Sequence, residues 1–246
     1  MLPPDDAQLP AAFDHAYADS SKVVMELDLG KFDPLEAMSW MMDHGALPKG
    51  TTLQGLLGDA RYGRLSAAAS TLGLSVKGLE GQAPWVVGIE ITDSAYAHEG
   101  FDPDQGVEEQ LLRRVQADGR ATAGLETLPE ELGGLIALSP EDQLRMLDQT
   151  LDDLKDLKSE MHDVVSAWRH GDAKRLAALL SEEYTAFPSL YRPLVTERNL
   201  RWLPQIEALL KEDQNCMVVV GALHLVGEGG LLELLRKQGY KVTQLE

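Results

Sequence analysis

The sequence predicts an α/β fold in which a small parallel or mixed sheet is flanked by many helices. Three short segments are predicted to be strands, the first and the last of them rich in Val and other apolar residues, and long stretches with helical periodicity separate them. Parallel strands need long crossover connections, which these helical stretches can supply. With 246 residues, of which 44% are hydrophobic, the chain can build a sizeable core. We expect residues 1–246 to form one domain.

The predicted strands cover residues 21–29, 120–125 and 217–220. The last of them is a continuous β-branched apolar run, which is typical of a strand buried on both faces of a parallel sheet. Gly221 ends this strand, and His224 lies just beyond it. In open α/β sheets ligands bind at the carboxyl ends of the strands, so His224 is well placed for chemistry.

Helical sequence fills most of the rest of the chain. Apolar spacing and the positions of Gly and Pro predict two helical insertions, 31–101 and 128–211, between the strands. A final helix is expected between Gly230 and Gly239. The other predicted helices are 10–19, 34–44, 51–72, 84–98, 107–117, a charged region 128–180 broken near Pro140 and Gly171, and 191–211.

Composition excludes several kinds of partner. The formal net charge of −18 argues against nucleic acids and anionic membrane surfaces, both of which need a basic face. No window is apolar enough for a membrane span, and the opening residues show no basic and apolar leader. Cys216 is the single cysteine and is expected to be inert packing within the last strand. Compartment and oligomeric state stay open.

Three polar side chains lie in or just after the predicted strands: Glu26 within the first, Glu126 directly after the second and His224 shortly after the third. If the strands are parallel, these groups converge at one edge of the sheet. Two carboxylates and an imidazole can bind a divalent transition metal such as Zn, Mn or Co. They can equally form a metal-free acid/base site. The residues alone do not decide between a metal site and a metal-free acid/base site.

Arg198 and the turn after His224 are weaker candidates. Arg198 could hold a substrate carboxylate, but its position in a predicted helix favours a surface arginine. The Gly227–Gly230 turn could offer free backbone N–H groups near His224 for an oxyanion. The remaining histidines lack metal-ligand spacing and are expected to be structural or solvent-facing; they are His15, His44, His98, His162 and His170.

At these residues the sequence resembles the TraB/GumN family, whose animal relatives are the TIKI membrane proteases. The run from Gly221 to His224, inside Val-Val-Gly-Ala-Leu-His-Leu-Val-Gly-Glu-Gly-Gly-Leu, resembles the second Gly-x-x-His motif of that family. Gly124-Leu-Glu126-Thr resembles its central motif. Glu26 matches its first acidic strand, Arg198-Asn199 its Arg-Asn helix and Gly106-Val-Glu108 its Gly-Val-Asp. The similarity extends in order along essentially the whole chain.

The resemblance implies a metal-dependent hydrolase related to erythromycin-esterase-like and ChaN-like folds. TIKI proteins are Mn or Co proteases, and some bacterial relatives restrain peptide pheromones. By this resemblance His224 and Glu26 would be metal ligands, Glu126 or Glu108 a further ligand or base, and Arg198 would orient the substrate. The expected cofactor is a divalent transition metal (Mn, Co or Zn), and the expected substrate is a peptide or small molecule. Relatives are often extracytoplasmic or membrane-attached.

The chain differs from the family at its first residues. The family has an earlier Gly-x-x-His strand, and Met1-Leu-Pro-Pro begins where that strand would just have finished. Either the start is assigned too late or this form is truncated; as given, the chain is expected to have one ligand and one strand fewer than the family. Three functions stay open: a metal-dependent peptidase-like hydrolase, a non-catalytic protein that binds a peptide or partner in the same cleft, and a metal-free esterase with a histidine base.

Overall fold

The computed structural model describes residues 2–3, 7–185 and 188–245, with the backbone alone for 181–185. Its three strands are β1 (Lys22–Met25), β2 (Ala121–Gly124) and β3 (Cys216–Val219). The helices are α1 (Ala11–Ala18), α2 (Pro34–Gly45), α3 (Leu53–Thr71), α4 (Val76–Leu79), α5 (Pro84–His98), α6 (Val107–Asp118), α7 (Leu128–Ile136), α8 (Pro140–Asp153), α9 (Leu157–Arg169), α10 (Ala173–Thr185), α11 (Pro188–Tyr191), α12 (Glu197–Leu209), α13 (Ala222–Leu225) and α14 (Leu231–Lys237).

The sheet has the order β2-β1-β3, and both strand pairs are parallel. Met25, the last residue of β1, lies opposite Gly124 on one side and Val219 on the other. The α/β class is therefore confirmed, and the sheet is parallel rather than mixed. All three strands end at one edge, which is the edge where ligands bind in open sheets of this class.

Apolar side chains cover both faces of the sheet. On one face Val23 and Met25 pack with Leu111 and Val115 of α6, together with Tyr17 of α1. Residues of α12 and α14 pack on the opposite face, and that cluster contains Val24, Leu125, Trp202, Ile206, Val220 and Leu231. Burial on both faces agrees with the near-continuous apolar character of β1 and β3.

A second core lies within the helical insertions. Buried residues of α3, α5 and α8 form it, among them Leu65, Val87, Ile91 and Leu147. None of the helices in the described part of the chain combines the length and apolar character that a membrane span requires. The long predicted helix over 191–211 is not uniform, because Arg192–Thr196 is a π-helical turn before α12 begins at Glu197.

Candidate functional site

The three strand ends bring Glu26, Glu126 and His224 to the same edge of the sheet. Glu26 directly follows β1, and Glu126 lies two residues after β2. His224 belongs to α13, the short helix that starts just after Gly221. The backbone N–H of Glu126 donates to the Glu26 carbonyl at 3.0 Å, so the chain stays paired beyond the ends of both strands.

Arg198 joins these three groups. It lies in the first turn of α12 and is only 7% exposed. Its Nε donates to Oε1 of Glu126 at 2.8 Å, and its Nη2 donates to Oε2 of Glu26 at 2.5 Å. Its Nη1 lies 3.2 Å from Nε2 of His224. Arg198 is therefore buried and contacts all three of these side chains. The interpretation of Arg198 as a surface arginine is wrong.

Every N–H of the Arg198 guanidinium has a partner inside the protein. Nη2 also bonds Glu126, and Nη1 donates to the Leu194 carbonyl at 3.3 Å. Burial alone would lower the pKa of Arg198, but the hydrogen bond that Arg198 donates to Glu126 and the charges of nearby glutamates outweigh it, so the pKa is raised. In this arrangement no donor of Arg198 is left for a substrate carboxylate.

Glu126 is the most deeply placed carboxylate of the cluster, with a side chain that is 1% exposed. Besides Arg198, its Oε2 accepts from Nε1 of Trp202 at 3.2 Å and from Arg201 at 3.4 Å. A carboxylate can remain in a protein interior only when cations and hydrogen-bond donors surround it. These three donors supply that environment.

The hydrogen bonds around His224 define its tautomer. Nδ2 of Asn199 donates to the carbonyls of His224 and Gly229, at 3.2 and 3.0 Å, so Oδ1 of Asn199 faces the ring. Nδ1 of His224 therefore donates to that oxygen at 2.8 Å, and Nε2 accepts from Arg198. Burial, with help from the charge of Arg198 and against that of Glu26, lowers the pKa of His224 to about 4. The imidazole is neutral at pH 7.

Glu131 is a member of this cluster that the sequence analysis did not identify. It lies in the first half of α7, and its carboxylate is 3.9 Å from Nη2 of Arg198. Burial raises the pKa of Glu131 to about 7; Arg198 opposes this rise, while Glu26 and Glu126 add to it. The only signal in the sequence was its place in the helix that follows the central motif.

Other predicted contributors are not joined to the cluster. Glu108 lies in the first turn of α6, and no hydrogen bond or ion pair between described residues links it to Arg198 or His224. In the turn after His224, two of the backbone N–H groups are engaged within the protein. The N–H of Gly229 donates to Glu233 at 2.8 Å, and that of Gly230 donates to Gly227 at 3.2 Å.

A metal ion does not fit the cluster as it is arranged. Two carboxylates and an imidazole are suitable ligands by their chemistry, but Glu26, Glu126 and His224 all direct their acceptor atoms at the guanidinium of Arg198. Across residues 2–3, 7–185 and 188–245, no group of three or more His, Cys, Asp or Glu side chains is placed to hold a metal. Metal binding therefore stays a prediction.

The fold and the site define an α/β protein with a polar cluster at the carboxyl edge of a parallel sheet. The sequence profile of the TraB/PrgY/gumN family matches residues 1–244, so the chain belongs to this family. The resemblance seen in the motifs is thereby confirmed.

Two relatives match this chain over most of their length. "Uncharacterized protein YbaP" of Escherichia coli (strain K12) is 24% identical over 232 residues, which is 94% of this chain and 83% of that protein. The protein of the same name from Shigella flexneri matches with the same identity and coverage. No solved structure matches the chain significantly.

Proposed function

We propose that the chain is a hydrolase of amide or ester bonds and that Glu131 is its proton-transferring group. The observation that carries the proposal is the convergence of Glu26, Glu126, Arg198 and His224 at the carboxyl edge of the sheet, with Glu131 beside them. Polar groups that meet at this edge from distant parts of the chain are typical of active sites in this fold class.

Some side chains of the cluster are accessible to solvent and others are buried. Side-chain exposure is 28% for Glu131 and 21% for Glu26, whereas it is 9% for Arg198 and 1% for Glu126. A substrate can therefore reach Glu131 and Glu26 but not Glu126. Because the pKa of Glu131 is about 7, its carboxyl group can both accept and donate a proton at neutral pH.

In the proposed reaction Glu131 takes a proton from the attacking water and returns it to the leaving nitrogen or oxygen. The charge of Arg198 lies close enough to favour negative charge that develops at the reacting carbonyl. His224 and Glu26 act as positioning residues. His224 accepts from Nη1 of Arg198, and Glu26 accepts from Nη2 and from the Gly221 N–H at 2.6 Å.

A more specific form of the proposal is that the hydrolase depends on a bound metal ion. This form rests on the family resemblance. A non-catalytic protein that binds a peptide or another partner at the same edge is the second candidate. In that candidate the complete engagement of Arg198 by protein groups gives this residue a structural role, since it leaves no free N–H for a ligand or an oxyanion.

The test measures turnover of short peptides and aryl esters by the purified chain at pH 7, with and without EDTA, alongside elemental analysis of the bound metal. We expect turnover that Glu131→Gln lowers by about 100-fold or more, the range typical of a general acid/base group. Glu141→Gln is the matched control, because Glu141 is an exposed carboxylate on α8 with a side chain that is 73% exposed. It should leave the rate unchanged.

Each result separates the candidates. Turnover that survives EDTA supports the metal-free form, whereas loss with EDTA and recovery with Mn²⁺ or Zn²⁺ supports the metal-dependent form. If no substrate is turned over under any condition, but calorimetry shows that a peptide binds in EDTA, the protein is a binding protein. Equal rates for Glu131→Gln and the wild type would remove Glu131 from the mechanism.

A further inference from the structure

A cavity lies between α5 and α8, away from the polar cluster. Its volume is about 360 Å³, within the range of small-molecule sites in proteins. Its walls are largely apolar and include Ile89 of α5, Leu135 of α7, Met146 of α8, Leu157 of α9, and Leu190 and Leu194 before α12. None of the residues that bind Arg198 through a side chain lines it.

Two aspartates line this cavity without a cation. Asp93 of α5 is exposed at the cavity mouth, and Asp153 at the end of α8 is half-buried. Oδ1 of Asp153 accepts from Nε2 of Gln149 at 2.6 Å, which leaves its other oxygen available. Among the described residues neither aspartate forms an ion pair.

The nearby cations are already paired with other carboxylates. Lys155 contacts Asp152 at 3.1 Å, and Lys158 contacts Glu99 at 3.0 Å. Burial raises the pKa of Asp93 and of Asp153, and the negative charges of Glu90 and Asp152 add to these two rises. Both aspartates are thus placed where a positive charge from outside the protein would be favourable.

We propose that this cavity binds an organic cation in which an ammonium group is attached to an apolar body. The ammonium group pairs with Asp93 or Asp153, and the apolar body packs against Ile89, Leu135, Met146 and Leu194. The lining also includes polar side chains, namely Thr92, Tyr96, Gln149, Thr150 and Glu160. An amphipathic amine suits the mainly apolar walls better than a bare divalent cation does, because no three acidic, His or Cys side chains of the described residues are placed to hold a metal ion.

The cavity shares structural elements with the polar cluster, although it is separate from it. Leu135 lies one turn after Glu131 on α7, and the carbonyl of Leu194 accepts from Arg198. The proposal does not depend on hydrolase activity, because it is read out by binding alone.

Calorimetry with 1-aminohexane, 1-hexanol and hexanoate tests this inference on the full chain. We expect the amine to bind at least tenfold more tightly than the alcohol, and the carboxylate to bind not at all. The double variant Asp93→Asn/Asp153→Asn should abolish the preference for the amine. It should fold, because it removes no ion pair and Oδ1 of an asparagine at 153 can still accept from Gln149. Asp43→Asn, at an exposed position on α2, is the control with a single lost charge and should keep the preference.

The location of binding is checked with methyl-labelled methionine. The methyl carbon of Met146 lies so close to Gly88 that a Cβ there would be 2.9 Å from it, so its NMR signal reports on the cavity wall. We expect that signal to shift on addition of the amine. Equal binding of amine and alcohol, equal binding of the amine to the double variant, or an unmoved Met146 signal would each overturn the proposal.

Discussion

The side-chain oxygen of Asn199 accepts the Nδ1 hydrogen of His224 at 2.8 Å, and this bond determines how the imidazole is used. Because Nδ2 of Asn199 is held by two backbone carbonyls, the amide cannot turn over without losing both bonds. The lone pair of Nε2 is therefore directed at Arg198. One amide thus fixes the tautomer of the neutral histidine and aims its acceptor atom at the guanidinium.

Replacing Asn199 by Asp should raise the pKa of His224. A carboxylate in contact with Nδ1 favours the imidazolium form, so the pKa should rise from about 4 by about one unit or more. NMR titration of the His224 ring protons between pH 3 and 9 measures this change. Asn215→Asp adds the same charge at an exposed position before β3 and should leave the pKa of His224 where it is. An unchanged value in Asn199→Asp would contradict the assigned tautomer.

Arg198→Met should strongly destabilise the protein. It leaves the carboxylate of Glu126, whose side chain is 1% exposed, without the cation that bonds it twice. Removing one partner of a buried ion pair costs about 3–5 kcal/mol of unfolding free energy, and urea denaturation measures the loss.

Arg201→Met is the matched control for Arg198→Met. Arg201 contacts the other oxygen of the same carboxylate, but its side chain is 43% exposed. An exposed ion pair contributes at most about 1 kcal/mol, so the loss should be small. Two variants of equal stability would show that the buried and the exposed guanidinium do not differ in this way.

The sequence was sufficient to predict the sheet and its polar edge. The Val-rich runs before Glu26 and His224 identified β1 and β3, because burial on both faces leaves a strong compositional signal. β2 is less buried, and its sequence Ala-Thr-Ala-Gly carries a weaker signal. The first strand was predicted too long, to residue 29. It ends at Met25, and the chain turns away shortly after Glu26.

The partners of the buried charges could not be predicted in the same way. Arg198 lies 172 residues from Glu26 and 72 from Glu126, so nothing local in its helix indicates that it is buried. Glu131 looks like any acidic residue in the first turn of a helix. Its pKa depends on the packing around α7 and on charges brought there by the fold.

The pH dependence of the unfolding free energy should show the raised pKa of Glu131. Its pKa in the folded chain is raised to about 7 from 4.5, so between these values the folded state binds more protons than the unfolded state. Its contribution to the unfolding free energy is therefore complete below about pH 4.5 and is lost as the pH rises to 7. His224 acts in the opposite direction, because its folded pKa of about 4 is below the ordinary 6.5.

Comparison of the wild type with Glu131→Gln isolates the contribution of Glu131 to the pH dependence of the unfolding free energy. The stability of this variant relative to the wild type should increase as the pH is raised from 5 to 8, since only the wild type loses the contribution of a protonated Glu131. Urea denaturation at several pH values measures the difference. A difference that is constant with pH would mean that Glu131 has an ordinary pKa in the folded chain.

Gly124→Ala should disturb the site from the end of β2. A Cβ at this position would be 2.6 Å from the backbone nitrogen of Asp28 and 3.2 Å from the Leu27 carbonyl carbon. Both atoms belong to backbone, which cannot give way as a flexible side chain would. The segment after Glu26 must therefore move, and we expect a loss of roughly 1–3 kcal/mol, as for overpacking in a core.

Gly63→Ala provides the contrast, because a Cβ at this exposed position in α3 meets nothing within 4 Å. Alanine should stabilise the helix there by about 0.5–1 kcal/mol. Thermal denaturation of both variants, together with the NMR signals of His224, measures the outcome. If Gly124→Ala is as stable as the wild type and leaves the His224 signals in place, close backbone contact is not the reason that glycine precedes Leu125-Glu126.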